Sequence, residues 1–185
     1  MADLKTKYLG LDIKSPLVAS ASAISKKLDN IKAMEDAGLG AVVLYSLFEE
    51  EIINEQLALD HFLTRGSESF AEAITYYPDL EKYNSGPDKY LQLIRTAKEA
   101  VDIPVIGSLN GVSTGGWIKY AKLIEEAGAD ALELNMYFVP ADPQLSSDVL
   151  EKAHIDLVSD IRKSIKIPLS VKLSPFYSSI PHFAA

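Results

Sequence analysis

The chain has 185 residues, 48% of them hydrophobic and 24% charged, a balance that can bury a core within one domain. Its 18 basic against 26 acidic side chains leave a formal charge of −8 without any basic run, which argues against a nucleic-acid surface. Cysteine is absent, which excludes disulfides, thiolate metal sites and a cysteine nucleophile, and no window approaches the roughly 18 apolar residues of a membrane span.

In chain order, Tyr8 to Ile13 alternates enough for a short hairpin, and Leu17 to Ala21 reads as a first buried strand. A helix follows, with Leu28, Ile31 and Met34 on one face and Gly38 as its stop. Ala41 to Leu47 is a continuous apolar run, the pattern of a parallel strand buried on both sides. Residues 49–65 read as helical, and Glu49-Glu50-Glu51 at the start reads as a solvated face favoured by the helix dipole. The segment 66–86, rich in Ser, Tyr and Asp, reads as a substrate or lid loop.

Tyr90, Ile94, Ala97 and Val101 then mark a helix, Val105 to Leu109 a third strand, and Ile118, Ala121 and Ile124 a helix capped by Ser113 or Thr114. A fourth strand spans Ala131 to Met136, a helix carries Leu150, Ala153, Leu157 and Ile161, and a fifth strand spans Leu169 to Leu173. Two echoes bind this series together. The helix-to-strand passage EDAGLGAVVLYS (Glu35 to Ser46) returns as EEAGADALELNM (Glu125 to Met136), and Ile-Pro recurs at the strand entrances of VDIPVIGSL and IKIPLSVKL.

Strands alternating with helices at this pitch predict right-handed βαβ units and a parallel sheet. The fold class expected is α/β, a TIM (β/α)8 barrel that is incomplete here, with an opening hairpin plus about five βα units in one domain over residues 1–185. HFAA after Pro181 reads as the opening turns of a further helix, so the chain is expected to be an amino-terminal portion. The rival is a complete flavodoxin-like doubly wound sheet, but ASASAISKK after the first strand is not a Gly-rich phosphate loop.

Barrel chemistry sits at the carboxyl ends of the strands. These ends deliver Ser20-Ala21-Ser22, Tyr45-Ser46, Ser108 with Asn110, Asn135 with Tyr137, and Lys172 with Ser174. Lys172, inside PLSVKLSP, must find a partner for its ammonium in the barrel mouth, and Asn135 closes an apolar run. Trp117 and the tyrosines read as packing. His61, His154 and His182 are scattered without metal-ligand spacing, so no metal site is expected.

These positions resemble the dihydroorotate dehydrogenase family, the FMN-dependent barrels of pyrimidine (UMP) synthesis. YLGLDIKSPLVASAS is similar to that family's opening hairpin and first strand, ELNM (Glu133 to Met136) to its fourth-strand signature, VKLSP (Val171 to Pro175) to its fifth, and GSLNG (Gly107 to Gly111) less specifically to its third. The resemblance implies a cytoplasmic flavoprotein oxidoreductase acting on CH–CH bonds, which would oxidise dihydroorotate to orotate by hydride transfer to flavin N5. It implies FMN binding by Ala19, Ser20, Ala21, Ser22, Asn110, Asn135 and Lys172, with Lys172 set against the flavin's N1 and O2. The expected partners are a small-molecule substrate and, at full length, a second copy in a homodimer, with no nucleic acid and no membrane.

The chain departs from the family after Asn135. The family's Cys or Ser base falls on Phe138, its lysine at the end of the second strand is replaced by Tyr45, and its Asn-rich substrate loop is not matched by AITYYPDLEKYNSGPD. Tyr137 and Ser46 are the candidate catalytic bases in its place. Two other classes stay open: a Schiff-base lyase or aldolase using Lys172 as its amine, and a non-catalytic paralogue or fragment.

Overall fold

The structure is a computed structural model that describes residues 3–50, 52–54, 86–111, 114–139 and 141–185. A hairpin opens it, β1 (Thr6–Tyr8) against β2 (Leu11–Ile13), joined by Leu9 and Gly10 at φ of 54° and 78°. Positive φ at both turn residues gives the twist that a two-residue hairpin needs. The remaining strands are β3 (Val18–Ala19), β4 (Ala41–Val43), β5 (Leu47–Phe48), β6 (Val105–Asn110), β7 (Ala131–Met136) and β8 (Leu169–Leu173). Helices α1 (Leu28–Asp36), α2 (Gly86–Ala100), α3 (Thr114–Glu126), α4 (Ser147–Ser164) and α5 (Ile180–Ala184) accompany them, with a 3-10 turn at Ala23–Lys26 and helical residues at 49–50 and 52–54. The candidate loop 66–86 lies outside the described residues up to position 85, as does the predicted helix beyond position 54.

All pairings in the main sheet are parallel, in the order β3-β4-β6-β7-β8, with β5 also on β6. This order decides between the two predicted architectures. A doubly wound sheet reverses direction at a switch point, whereas these strands follow one another without reversal and curl as part of a barrel.

Side-chain alternation separates the two faces of the sheet. Val42, Leu44, Val105, Leu109, Leu132 and Leu134 join the large core beneath the helices. Ala41, Val43, Ile106 and Ala131 face the other way, where Ile13, Tyr8, Leu9 and Leu11 of the hairpin close over them. The inner face is therefore apolar at the amino ends of the strands. Further along the same alternation it becomes polar, with Ser108, Glu133 and Asn135.

The predicted second strand is not continuous. Val43 pairs with Ile106, but Leu47 pairs with Leu109, so one more residue fits between the pairings on the β4–β5 side than on β6. This bulge is the physical reason that Ala41 to Leu47 breaks in two, and it re-aims the side chains that follow. Tyr45 packs with the helix-side core and meets Tyr90 edge to face, with ring centroids 5.0 Å apart. Ser46 turns to Ser108, their hydroxyl oxygens 2.9 Å apart. The buried Tyr90 hydroxyl accepts from the Ser108 N–H at 2.8 Å and donates to the Ser108 carbonyl at 3.1 Å, satisfying backbone groups at the bulge. The first strand is also shorter than predicted, Val18–Ala19 in place of Leu17 to Ala21, and Ala153 on α4 is exposed and not part of a buried stripe.

The doubled acid-Ala-Gly passage has a structural counterpart. Gly38 and Gly128 take φ of 91° and 96° and end α1 and α3 with the same pair of bonds, Gly38 N–H to Glu35 and Leu39 N–H to Met34 in one, Gly128 N–H to Glu125 and Ala129 N–H to Ile124 in the other. The acids then reach across to the next strand. Glu35 Oε1 accepts from the N–H groups of Asp102 and Ile103 at 2.9 and 3.1 Å, and Glu125 Oε1 from Lys166 and Ile167 at 2.7 and 3.0 Å. Each Ile-Pro strand entrance is thus held by the carboxylate that closes a helix. Glu125→Ala is expected to lower stability by about 1–3 kcal/mol, because two backbone donors lose a charged acceptor, and denaturant unfolding would measure it.

Candidate functional site

The carboxyl ends of β3 to β8 frame two recesses that share Phe48 and Asn135. The smaller, about 340 Å³, is lined by Ala21 and Ser22, Lys26, Tyr45 and Ser46, Asn135 and Lys172. Its floor is small because the segment after β3 carries Ala and Ser. Asn135 and Lys172 stand side by side there, as cross-strand partners of β7 and β8. The larger hollow, about 540 Å³, lies between Asn110, Trp117, Tyr137, Phe138, His154 and Glu50.

Lys172 is not the buried charge that the sequence suggested. Its side chain is 49% exposed, and its ammonium lies 3.4 Å from Glu133 Oε1, a carboxylate only 12% exposed. Lys26 adds a second cation to the recess, its Nζ 5.0 Å from the centre of the Tyr45 ring.

The candidate residues divide between these recesses. Ala21, Ser22, Ser46, Asn135 and Lys172 share the smaller one, and Asn110, Asn135 and Tyr137 share the larger. Ala19 packs toward the helix-side core, and Ser20 lines neither recess. Tyr137 is exposed and meets Phe176 edge to face, while Ser46 is tied to Ser108. The two candidate bases therefore serve different recesses.

Sequence reading passed over Glu133, Lys26 and His154. Glu133 was legible as the inward position two before Asn135 on the same strand. Lys26 was not, since it sits in the short 3-10 turn Ala23–Lys26, where no periodicity points it at the site. The acidic run was also misread in part. Glu49 is 5% exposed, and a β-carbon at Gly116 would collide with its carboxylate, so Glu49 lies against the first turn of α3 and not in solvent. Glu51 lies outside the described residues.

Among the described residues no group of three His, Asp or Glu side chains could hold a metal ion, and no helix is long and apolar enough to cross a membrane.

No family model matches the chain. The dihydroorotate dehydrogenase B (NAD(+)) catalytic subunit of Thermoplasma volcanium is 27% identical over 193 residues, an alignment covering 100% of this chain and 58% of that protein. The corresponding subunit of Thermoplasma acidophilum is 26% identical over the same shares. A putative dihydroorotate dehydrogenase A (fumarate) of Aeropyrum pernix is 37% identical over 84 residues, 44% of this chain and 26% of that protein. These three relatives are dihydroorotate dehydrogenases by name, whereas the NAD-dependent dihydropyrimidine dehydrogenase subunit PreA of Escherichia coli is 25% identical over 182 residues, 94% of this chain and 42% of that protein; the chain spans about 58% of the length of the two Thermoplasma proteins.

Among solved structures, a dihydrodipicolinate synthase from Agrobacterium tumefaciens superposes with a TM-score of 0.55 at 14% identity, over 90% of this chain and 48% of that one. A monomeric dihydrodipicolinate synthase variant gives 0.54 at 17% identity, over 91% and 48%. At these identities the likeness is one of fold.

Proposed function

We propose that the chain is the flavin-facing part of a dihydroorotate dehydrogenase-like FMN oxidoreductase, oxidising a dihydropyrimidine in pyrimidine synthesis. The observation that carries this reading is the meeting of Lys172, Asn135 and the Ala21-Ser22 segment in one recess at the strand ends. Full-length relatives at 27% and 26% identity support it.

The residues fit the polar edge of a flavin ring. Ala21 and Ser22 offer a low floor, Asn135 an amide that both donates and accepts, and Lys26 and Lys172 two ammonium groups. When bound, FMN would supply the hydride acceptor that none of the twenty side chains provides. Lys172 would hold negative charge at the ring's edge, and Glu133 would hold Lys172. Asn135 borders both recesses and would bind flavin on one side and substrate on the other. Ser46, fixed to Ser108, serves in this arrangement as a hydrogen-bonding group.

Titration of the protein with FMN tests the reading. Saturable uptake, with the flavin absorption bands shifted and the flavin fluorescence quenched, is the expected result. A protein that leaves FMN free in solution would overturn it. Borohydride with a carbonyl substrate separates the Schiff-base class, since only that chemistry adds mass at Lys172.

A further inference from the structure

His154 has no part in holding flavin, yet it lines the larger hollow together with Asn110 and Asn135. It projects from α4, and two other segments meet its ring. Its ring meets Phe138, from the segment after β7, edge to face at 6.3 Å, and Tyr177, from the segment after β8, at 5.9 Å. His154 Nδ1 and the Tyr177 hydroxyl are 2.9 Å apart, and Tyr177 stacks at 4.3 Å on Phe183 of α5. A histidine that merely decorates a helix surface is not held from so many sides.

The surroundings also set its protonation. Burial pushes the His154 pKa below its ordinary 6.5, so the ring is neutral near pH 7. Burial first, then the charge of Glu151, pushes the Tyr177 phenol up, so that hydroxyl keeps its proton. The direction of this bond follows the tautomer: in the Nδ1–H tautomer the ring donates to the Tyr177 oxygen and Nε2 keeps its lone pair as an acceptor. The other titratable groups are Glu50 and Tyr137 at the hollow, and Glu151, which accepts from Ser178 at 3.2 Å. Glu50 is exposed, whereas the imidazole is held by two ring contacts and a hydrogen bond, and histidine is the side chain most often used as a general base.

We infer that His154 is the proton acceptor of the larger hollow, acting on a cyclic amide whose acidic C–H lies next to a ring carbonyl, and that Tyr177 is its positioning residue. The choice of ligand rests on the function proposed above. In the step, the C–H bond breaks and its proton forms an N–H bond at His154 Nε2. The electron pair becomes the enolate carbon–carbon double bond, and the carbonyl oxygen takes the charge. The amides of Asn110 and Asn135 border the same hollow and can donate to that oxygen. This half-step changes no oxidation state, so it can be observed as hydrogen exchange with solvent.

Dihydroorotate is the probe, incubated with the protein in deuterium oxide and followed by NMR. Deuterium should enter the carbon beside the ring carbonyl, at a rate that rises with pH through an apparent pKa below 6.5 and then levels. His154→Gln should slow exchange by about 100-fold or more at an unchanged melting temperature. Tyr177→Phe should keep exchange but move the pH limb downward, because the imidazolium loses its acceptor. A ring-proton titration of His154 in the ligand-free protein should show the same low inflection without any turnover. No exchange in the wild-type protein, or a wild-type rate and pH limb in His154→Gln, would overturn the inference. FMN uptake on the same sample separates the two claims: uptake without exchange removes this inference alone, and absence of both removes the proposed function as well.

Discussion

Replacing Lys172 by Met is expected to weaken FMN binding by about tenfold or more, equivalent to about 1.4 kcal/mol, and to weaken binding of the reduced flavin further than that of the oxidised form. The ammonium is the partner of Glu133 and lines the recess beside Asn135. Removing it subtracts one of the recess's two cations and leaves Glu133, 12% exposed, without that partner, so the local charge becomes less positive by one. Reduced flavin carries negative charge at the ring edge and feels this change more than the neutral oxidised ring. Glu133→Gln should act in the opposite direction, since Lys172 then loses its internal counter-ion and offers its charge to the ligand. Lys26→Met should cost less, because that side chain is exposed above Tyr45. Parallel FMN titrations of the three variants, oxidised and reduced, decide the matter. Unchanged affinity in Lys172→Met would remove its proposed role.

The second large effect is expected at Gly116. Alanine ordinarily favours a helix over glycine by about 1 kcal/mol, and at the adjacent Gly115, where an added β-carbon meets open space, Ala should stabilise by up to that amount. At Gly116 the same β-carbon would fall on the Glu49 carboxylate, which is buried between the end of β5 and α3. The carboxylate must then move from its place at the first turn of the helix, where the dipole favours a negative charge. Gly116→Ala should therefore destabilise by about 1–3 kcal/mol, the usual cost of overpacking, despite its better propensity. Chemical denaturation of the two neighbouring variants should give opposite signs. Equal, stabilising shifts would show that the close approach of Glu49 carries no weight. The site should also respond, since Phe48 and Glu50 on either side of Glu49 line the larger hollow.

Much of the fold was legible from local patterns. The fourth and fifth strands, Ala131–Met136 and Leu169–Leu173, fall where the apolar runs place them, and the hairpin, α1 and its Gly38 stop follow in the same way. These signals are local, carried by side-chain period and by the tolerance of glycine for positive φ, so a single segment suffices to read them. The polar groups at the strand ends were legible for the same reason, since alternation places Ser108, Glu133 and Asn135 on one face of the sheet.

What the tertiary structure alone decided are the relations between segments. The strand order that separates a barrel from a doubly wound sheet depends on which edges pair, and no local period encodes that. The bulge between Val43 and Leu47 depends on register against β6, and it sends Tyr45 to Tyr90 and Ser46 to Ser108. The burial of Glu49 depends on a glycine in another helix, and the pairing of Lys172 with Glu133 on the register of two neighbouring strands. In the doubled passage, the sequence by itself determined two helices ending on glycine and launching strands. Only the folded chain brings Glu35 to Asp102 and Glu125 to Lys166, because a hydrogen bond depends on separation in space, which contacts distant along the chain set.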